Sequence, residues 1–136
     1  MLFRSTHLHV ITTTAAKNHY PPSQLAAQTS VLNEIYAPSQ ISFTTISIDY
    51  TVNDEWASCH IGPCEETYKG ALRRGSYADL NLYFLSDLAR GMNILCFTTL
   101  PLSAPNEQEL ILDGVAVLAD SMPGGSVSHT AELQAF

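Results

Sequence analysis

Histidine and cysteine are the residues of this chain whose spacing could hold a metal ion. His7 and His9 alternate along a predicted strand, so both imidazoles would lie on one face of a sheet. Cys59, His60 and Cys64 offer three further ligands in one short segment. The histidine pair has no third ligand, and the second segment has only three. The pattern therefore favours ordinary strand positions for the histidines, and either a local disulfide or two free thiols for the cysteines.

The cysteine count limits the disulfides that the chain can form. The three cysteines are Cys59, Cys64 and Cys96, so at most one intramolecular disulfide is possible and at least one thiol stays unpaired. This count does not distinguish an oxidising compartment from a reducing one.

Three other arrangements could suggest catalysis or phosphate binding. Asp113 and Asp120 flank a predicted strand, but seven extended residues separate carboxylates by roughly 23 Å, too far for a shared acid-base site. The turn at residues 123–126, Pro-Gly-Gly-Ser, lacks the lysine of a phosphate-binding loop. Ser128 stands next to His129 without the Gly-x-Ser-x-Gly that exposes a nucleophilic serine. We therefore predict no catalytic residues and no metal ligands in this chain.

Composition excludes several classes of protein. The chain has 136 residues, of which 46% are hydrophobic and 14% charged, which is typical of one globular domain rather than a disordered protein. A formal net charge of -7 disfavours a surface that binds nucleic acid. No apolar run approaches the ~20 residues that span a bilayer, and we expect no export signal in the chain as written.

The elements that must position any site follow from hydrophobic periodicity. A pattern with a period near 3.6 predicts helices over residues 23–37 and 65–74, and a polar loop is expected over 103–109. Alternating patterns predict five strands, at residues 8–13, 41–50, 79–88, 94–100 and 114–119. In the third strand, Leu80, Leu82 and Phe84 should face one side, and Tyr83 and Leu85 the other.

The order of these elements predicts the topology. Strands that alternate with helices are expected to be parallel, and the closely spaced later strands indicate an antiparallel edge. In the second strand the apolar phase changes between Phe43 and Ile46, which predicts a bulge or burial on both faces. We predict an α/β (α+β) fold, a twisted mixed five-stranded sheet with two helices.

An ordered set of short motifs resembles a known family. Residues 69–84 read Lys-Gly-Ala-Leu-Arg-Arg-Gly-Ser-Tyr-Ala-Asp-Leu-Asn-Leu-Tyr-Phe. The other segments are Trp56-Ala57-Ser58, Leu95-Cys96-Phe97-Thr98-Thr99-Leu100-Pro101, Asp113-Gly114-Val115 and Met122-Pro123-Gly124-Gly125-Ser126. Together they resemble the fungal branch of the pappalysin-like zinc metallopeptidases, over about residues 7–126.

The resemblance implies a fold and an activity. The chain would be the amino-terminal subdomain of a zincin of the metzincin type, and the domain would occupy residues 1–136 with a divergent tail at 127–136. The edge strand of its sheet would form one wall of the substrate cleft and pair with an extended peptide or protein substrate. That edge would consist of Ile94, Leu95, Cys96, Phe97 and Thr98. The family's members are secreted endopeptidases that use zinc.

The zinc-binding motif of the family is absent from this sequence. Relatives continue from the Pro-Gly-Gly-Ser turn into a helix with His-Glu-x-x-His, whereas residues 126–136 read Ser-Val-Ser-His-Thr-Ala-Glu-Leu-Gln-Ala-Phe. We therefore expect a catalytically inactive chain without its active-site helix, arising from a truncated product, an alternative transcript or a mis-spliced gene model. The alternatives are a non-catalytic peptide-binding module or effector, and a non-functional fragment. Without that helix, a face of the central strands should be uncovered and could support self-association.

Overall fold

The structure is a computed structural model that describes residues 1–125. Its five strands form one mixed sheet in the order β2-β1-β3-β5-β4. Strands β1, β2, β3 and β5 are parallel, and β4 pairs antiparallel with β5 at one edge. The strands are β1 (Leu2–Thr12), β2 (Ile41–Val52), β3 (Leu80–Leu85), β4 (Cys96–Thr98) and β5 (Val115–Leu118). The predicted α+β class and the mixed sheet are confirmed.

Four helices accompany the sheet within the described residues. They are α1 (Pro22–Tyr36), α2 (Asp54–Ala57), α3 (Pro63–Leu72) and α4 (Glu107–Leu112). The predicted helices over 23–37 and 65–74 correspond to α1 and α3. The predicted polar loop over 103–109 is wrong from Glu107 onward, where α4 begins. Asn106 caps this helix by accepting a hydrogen bond from the Glu109 backbone N–H, while the Glu109 carboxylate accepts one from the Asn106 backbone N–H.

Apolar side chains form a core on each face of the sheet. The α1-side core includes Leu25 and Leu32 of α1, packed with Leu82 and Phe84 of β3. The α3-side core includes Tyr68 of α3, packed with Tyr83 and Leu85 of the same strand. Adjacent residues of β3 therefore point to opposite cores, as the alternating pattern predicts. This strand is buried on both faces, which is typical of a central parallel strand.

The second strand contains the predicted bulge. Thr6 of β1 pairs with Thr45 and the next residue, His7, pairs with Ser47, so Ile46 has no partner in the register. This extra residue moves the side chains that follow it to the other phase. The change from Phe43 to Ile46 in the sequence marked this position correctly.

The expectation of an uncovered face on the central strands is wrong. Leu82, Phe84 and Val117 are each at most 1% exposed. The segment before α1 supplies Tyr20 to the α1-side core, and Met122 after β5 completes it, so helix α1 is not the sole cover. One group of exposed apolar side chains lies instead along β2, an edge strand of the sheet, at Ile46, Ile48, Tyr50 and Val52.

Within residues 1–125, no helix is both long and apolar enough to cross a membrane.

Candidate functional site: the edge strand β4

The short strand β4 forms an open edge of the sheet. Cys96 and Thr98 are exposed, whereas Phe97 between them is partly buried against the α3-side core. Strand β5 lies on the inner side of β4, and β4 is the last strand in the sheet order. Within residues 1–125, no strand pairs with the outer side of its backbone.

The hydrogen-bond pattern shows which backbone groups face that open side. The Leu118 N–H donates to the Leu95 carbonyl at 2.7 Å, which makes these two residues a hydrogen-bonded antiparallel pair. Because such pairs alternate, Phe97 and Ala116 form the next bonded pair. Cys96 and Thr98 occupy the positions between, so their N–H and C=O groups point outward from the sheet.

The predicted edge residues divide into two groups. Cys96, Phe97 and Thr98 form β4 itself. Leu95 precedes the strand but extends its ladder through the bond from Leu118, and the Ile94 side chain packs against the α3-side core. The structure thus brings all five to one edge, although only the last three are strand.

A fully buried lysine of α3 lies next to the Phe97 side chain of the edge strand. The Lys69 ammonium lies 5.7 Å from the centre of the Phe97 ring and 5.6 Å from that of Tyr83. Its Nζ donates to the Leu112 carbonyl and pairs with the Glu65 carboxylate, both at 2.8 Å. Lys69 thereby connects helix α3 to the segment that leads into β5. Its ammonium group also lies next to the Phe97 side chain of β4.

The electrostatics beneath the edge follow from burial. Burial lowers the pKa of Lys69, and the Glu65 carboxylate acts in the opposite direction. Burial raises the pKa of Tyr83 and of Tyr68, so both phenols stay protonated. Arg73 donates to the Asp113 carbonyl at 2.8 Å and lies 3.5 Å from its carboxylate. The cations of this region are therefore held as pairs.

Two hollows flank β4. One, of about 440 Å³, lies at its start and is lined by Ile94, Leu95 and Leu118 among others. The other, of about 270 Å³, lies past its end between Tyr77, Leu100 and Leu112. The Tyr77 hydroxyl accepts a hydrogen bond from the Leu102 N–H at 2.7 Å, which fixes the segment after β4. An extended chain along the edge would have room for a side chain at each end.

The cysteines and the remaining candidate residues lie apart from the edge. Cys59, which precedes α3, forms a disulfide with Cys64 in the first turn of that helix. Cys96 is a free, exposed cysteine. Burial raises the pKa of the Cys96 thiol, so it is a thiol rather than a thiolate at neutral pH. Asp113 pairs with Arg73, and Asp120 accepts a hydrogen bond from the Tyr20 hydroxyl at 2.8 Å.

The residues present in residues 1–125 do not fit a zinc ion. No group of three His, Cys, Asp or Glu side chains that could hold a metal occurs there. His7 Nδ1 contacts the Ser47 hydroxyl, and both ring nitrogens of His9 contact other side chains. The serines and histidine of the tail, Ser126, Ser128 and His129, lie outside the described residues.

Sequence reasoning missed the polar contacts on the α3 side of the sheet. Lys69 looks like an ordinary helix residue, and only its spacing of four from Glu65 indicates a pair. Asp49 and Asn81, the partners of His9, come from strands far away in sequence. Their meeting depends on strand register, which no local pattern shows.

The chain is similar in sequence to fungal proteins named extracellular metalloproteases. The chain is 36% identical to an extracellular metalloprotease of Arthroderma otae over 124 residues, which are 91% of this chain and 44% of the relative. It is 38% identical to one of Neurospora crassa over 127 residues, 92% of this chain and 43% of that protein. A third, from Pyricularia oryzae, is 39% identical over 126 residues, 91% of this chain and 42% of that protein.

The chain thus spans less than half the length of the curated relatives that it matches. Its homologues are named extracellular metalloproteases. No protein-family model matches the chain.

Proposed function

We propose that this chain is the amino-terminal part of a secreted, pappalysin-like zinc metalloendopeptidase domain, and that its own residues bind extended peptide at β4 without cleaving it. The observation that carries the proposal is the open antiparallel edge, where Cys96 and Thr98 direct backbone groups outward. Similarity to extracellular metalloproteases over nine tenths of the chain supports the family and the location.

The chemistry of the chain supports binding rather than hydrolysis. A catalytic zinc needs three protein ligands and an open position, and the 136 residues contain no His-Glu-x-x-His. In the proposed full domain, zinc would polarise the scissile carbonyl and activate water. The groups for that step belong to the part of the domain that these residues do not contain. What this chain contributes is the wall that orients the substrate backbone.

Strand addition explains how the edge would recognise a peptide. Main-chain hydrogen bonds supply affinity that is independent of sequence, and pockets for alternate side chains supply specificity. The edge has both, because outward backbone groups lie between the hollow at Ile94 and the hollow at Leu100. This geometry supports binding of extended protein segments in general rather than of one particular substrate.

Replacing Thr98 by proline should weaken peptide binding by about tenfold or more. Proline removes the outward N–H of residue 98, which makes no bond to β5, so the sheet should remain intact. The measurement is fluorescence anisotropy with labelled extended peptides of apolar, basic and acidic composition.

The matched control for this change is Thr98→Ala. Alanine removes the same hydroxyl, which donates to the Thr99 and Gly114 carbonyls, but keeps the N–H. Its affinity should stay within about twofold of that of the unmodified chain, a difference of about 0.4 kcal/mol. Equal affinity of the proline and alanine variants, or no binding of any peptide by the unmodified chain, would contradict the proposed role of the edge.

A further inference from the structure

The hollow beyond the end of β4 is bounded mainly by apolar and aromatic side chains. Tyr77, Leu100, Leu102 and Leu112 line it, and its volume is about 270 Å³. Pockets that hold whole small molecules usually measure about 300–1,000 Å³. The hollow therefore has the size to take one bulky side chain rather than a larger ligand.

Hydrogen bonds hold the walls of this hollow in place. The Tyr77 hydroxyl accepts from the Leu102 N–H at 2.7 Å, which joins the segment before β3 to the segment after β4. On the opposite wall, the Lys69 ammonium donates to the Leu112 carbonyl at 2.8 Å. A preformed hollow of this kind lowers the entropic cost of binding a side chain.

The polar side chains at the hollow already have partners within the chain. The Thr99 hydroxyl donates to the Asp113 carboxylate at 3.3 Å and accepts from the Gly114 N–H at 3.4 Å. The Glu109 carboxylate accepts from the Asn106 N–H at 3.0 Å. The two carboxylates would repel an acidic group, since like charges brought together at an interface oppose binding. The hollow therefore favours an apolar side chain over an acidic one.

The hollow at the start of β4 has a different character. Asp87 and Arg90 line it and form an ion pair at 2.7 Å, in which the arginine is largely exposed. An apolar side chain there would cover charged groups that gain free energy from contact with water. Selection of an apolar side chain is therefore expected at the Leu100 end of the edge.

The hollow is continuous with the open edge of β4. Thr99 and Leu100 follow directly on Thr98, the last residue of the strand. An extended chain paired with Thr98 therefore passes the hollow within about two residues, or roughly 7 Å. Leu100 is 80% exposed and Leu102 is 40% exposed, so both side chains are open to contact with such a chain.

We propose that this hollow selects one bulky apolar side chain, such as that of leucine, from an extended peptide bound along β4, an inference that rests on the proposed function of that edge. The preferred ligands are then extended protein segments with a leucine-like residue within about two positions of the residue that pairs with Thr98. Acidic segments are disfavoured at the same place.

The test measures the binding of short labelled peptides to the full chain by fluorescence anisotropy. The peptides consist of serine and threonine and differ only at one central residue, which is leucine, alanine or glutamate. The leucine peptide should bind about tenfold more tightly than the alanine peptide, because much of the leucine side chain leaves water. The glutamate peptide should bind no more tightly than the alanine peptide.

Leu100→Ser tests whether this preference arises in the hollow. Because Leu100 is 80% exposed, its replacement should leave the fold intact. The preference for leucine over alanine should fall from about tenfold to about threefold or less, while the affinity for the alanine peptide stays within about twofold. The matched control is Ile61→Ser, since Ile61 is 63% exposed and lines a different hollow, beside Cys64. That variant should keep the tenfold preference.

The outcomes separate this inference from the proposed function. Equal binding of the leucine and alanine peptides, weakened in both by Thr98→Pro, would overturn the selectivity of the hollow and leave peptide binding at β4 standing. An unchanged preference in Leu100→Ser would also overturn the role of the hollow. If no peptide bound to the unmodified chain, both the inference and the proposed function would be contradicted.

Discussion

Replacing Lys69 by methionine is expected to destabilise the chain by about 3–5 kcal/mol, the usual cost of removing one partner of a buried ion pair. Lys69 has no exposed surface, and Glu65 is 7% exposed. Methionine keeps most of the apolar stem but leaves the Glu65 carboxylate without its cation, and the Leu112 carbonyl without its donor. The measurement is chemical denaturation of the two chains at neutral pH.

Two further variants separate the effect of losing the buried ion pair from the effect of changing the side chain itself. The double variant Lys69→Met with Glu65→Leu removes both charges, so it should recover much of the lost stability. Arg90→Met breaks a pair with Asp87 in which the arginine is 76% exposed, and should change stability by about 1 kcal/mol or less. If Lys69→Met cost no more than Arg90→Met, the buried lysine would stabilise the fold no more than an exposed one does.

The second large effect is expected from Phe84→Ala, at about 3–5 kcal/mol. Phe84 is fully buried in the α1-side core beneath residues from outside β3, including Tyr20 and Met122. Because domains of this size are stable by only about 5–15 kcal/mol, the loss should appear as a large drop in the denaturation midpoint.

Ile46→Ala is the control for Phe84→Ala. Ile46 is the bulged residue of β2 and is 57% exposed, so its truncation should change stability by about 0.5 kcal/mol or less. Comparable costs for the two variants would mean that the core face of β3 is open to solvent, as the sequence alone suggests for a chain without an active-site helix.

The strands were predictable because their patterns are local. Alternation in β3 placed Leu82 and Tyr83 on opposite faces, and the phase change near Ile46 marked the bulge. Helix α4 was not predicted, although Asn106 and Glu109, three residues apart, form a capping box. The segment was interpreted as a polar loop because most of its residues are polar.

The polar contacts that connect β1, β2 and β3 were not predictable from one sequence. His9 was interpreted as a plain strand position, which is right about its place and silent about its partners. Asp49 and Asn81 reach it only after β1, β2 and β3 align in a particular register. The cover over Phe84 likewise depends on Tyr20 and Met122, which are separated from it by long stretches of chain. Long-range contacts of this kind depend on the packed fold rather than on any local period.

The measurement that tests the proposed function most directly is zinc-dependent proteolysis by a chimera. The aligned segment of the Neurospora crassa relative would be replaced by this chain, with the relative's remaining residues kept. We expect the folded chimera to bind zinc stoichiometrically and to hydrolyse an unfolded protein in a chelator-sensitive way, while the 136-residue chain alone does neither. A folded chimera that binds no zinc and cleaves nothing, beside an active parent protein, would contradict the account, as would chelator-sensitive cleavage by the chain alone.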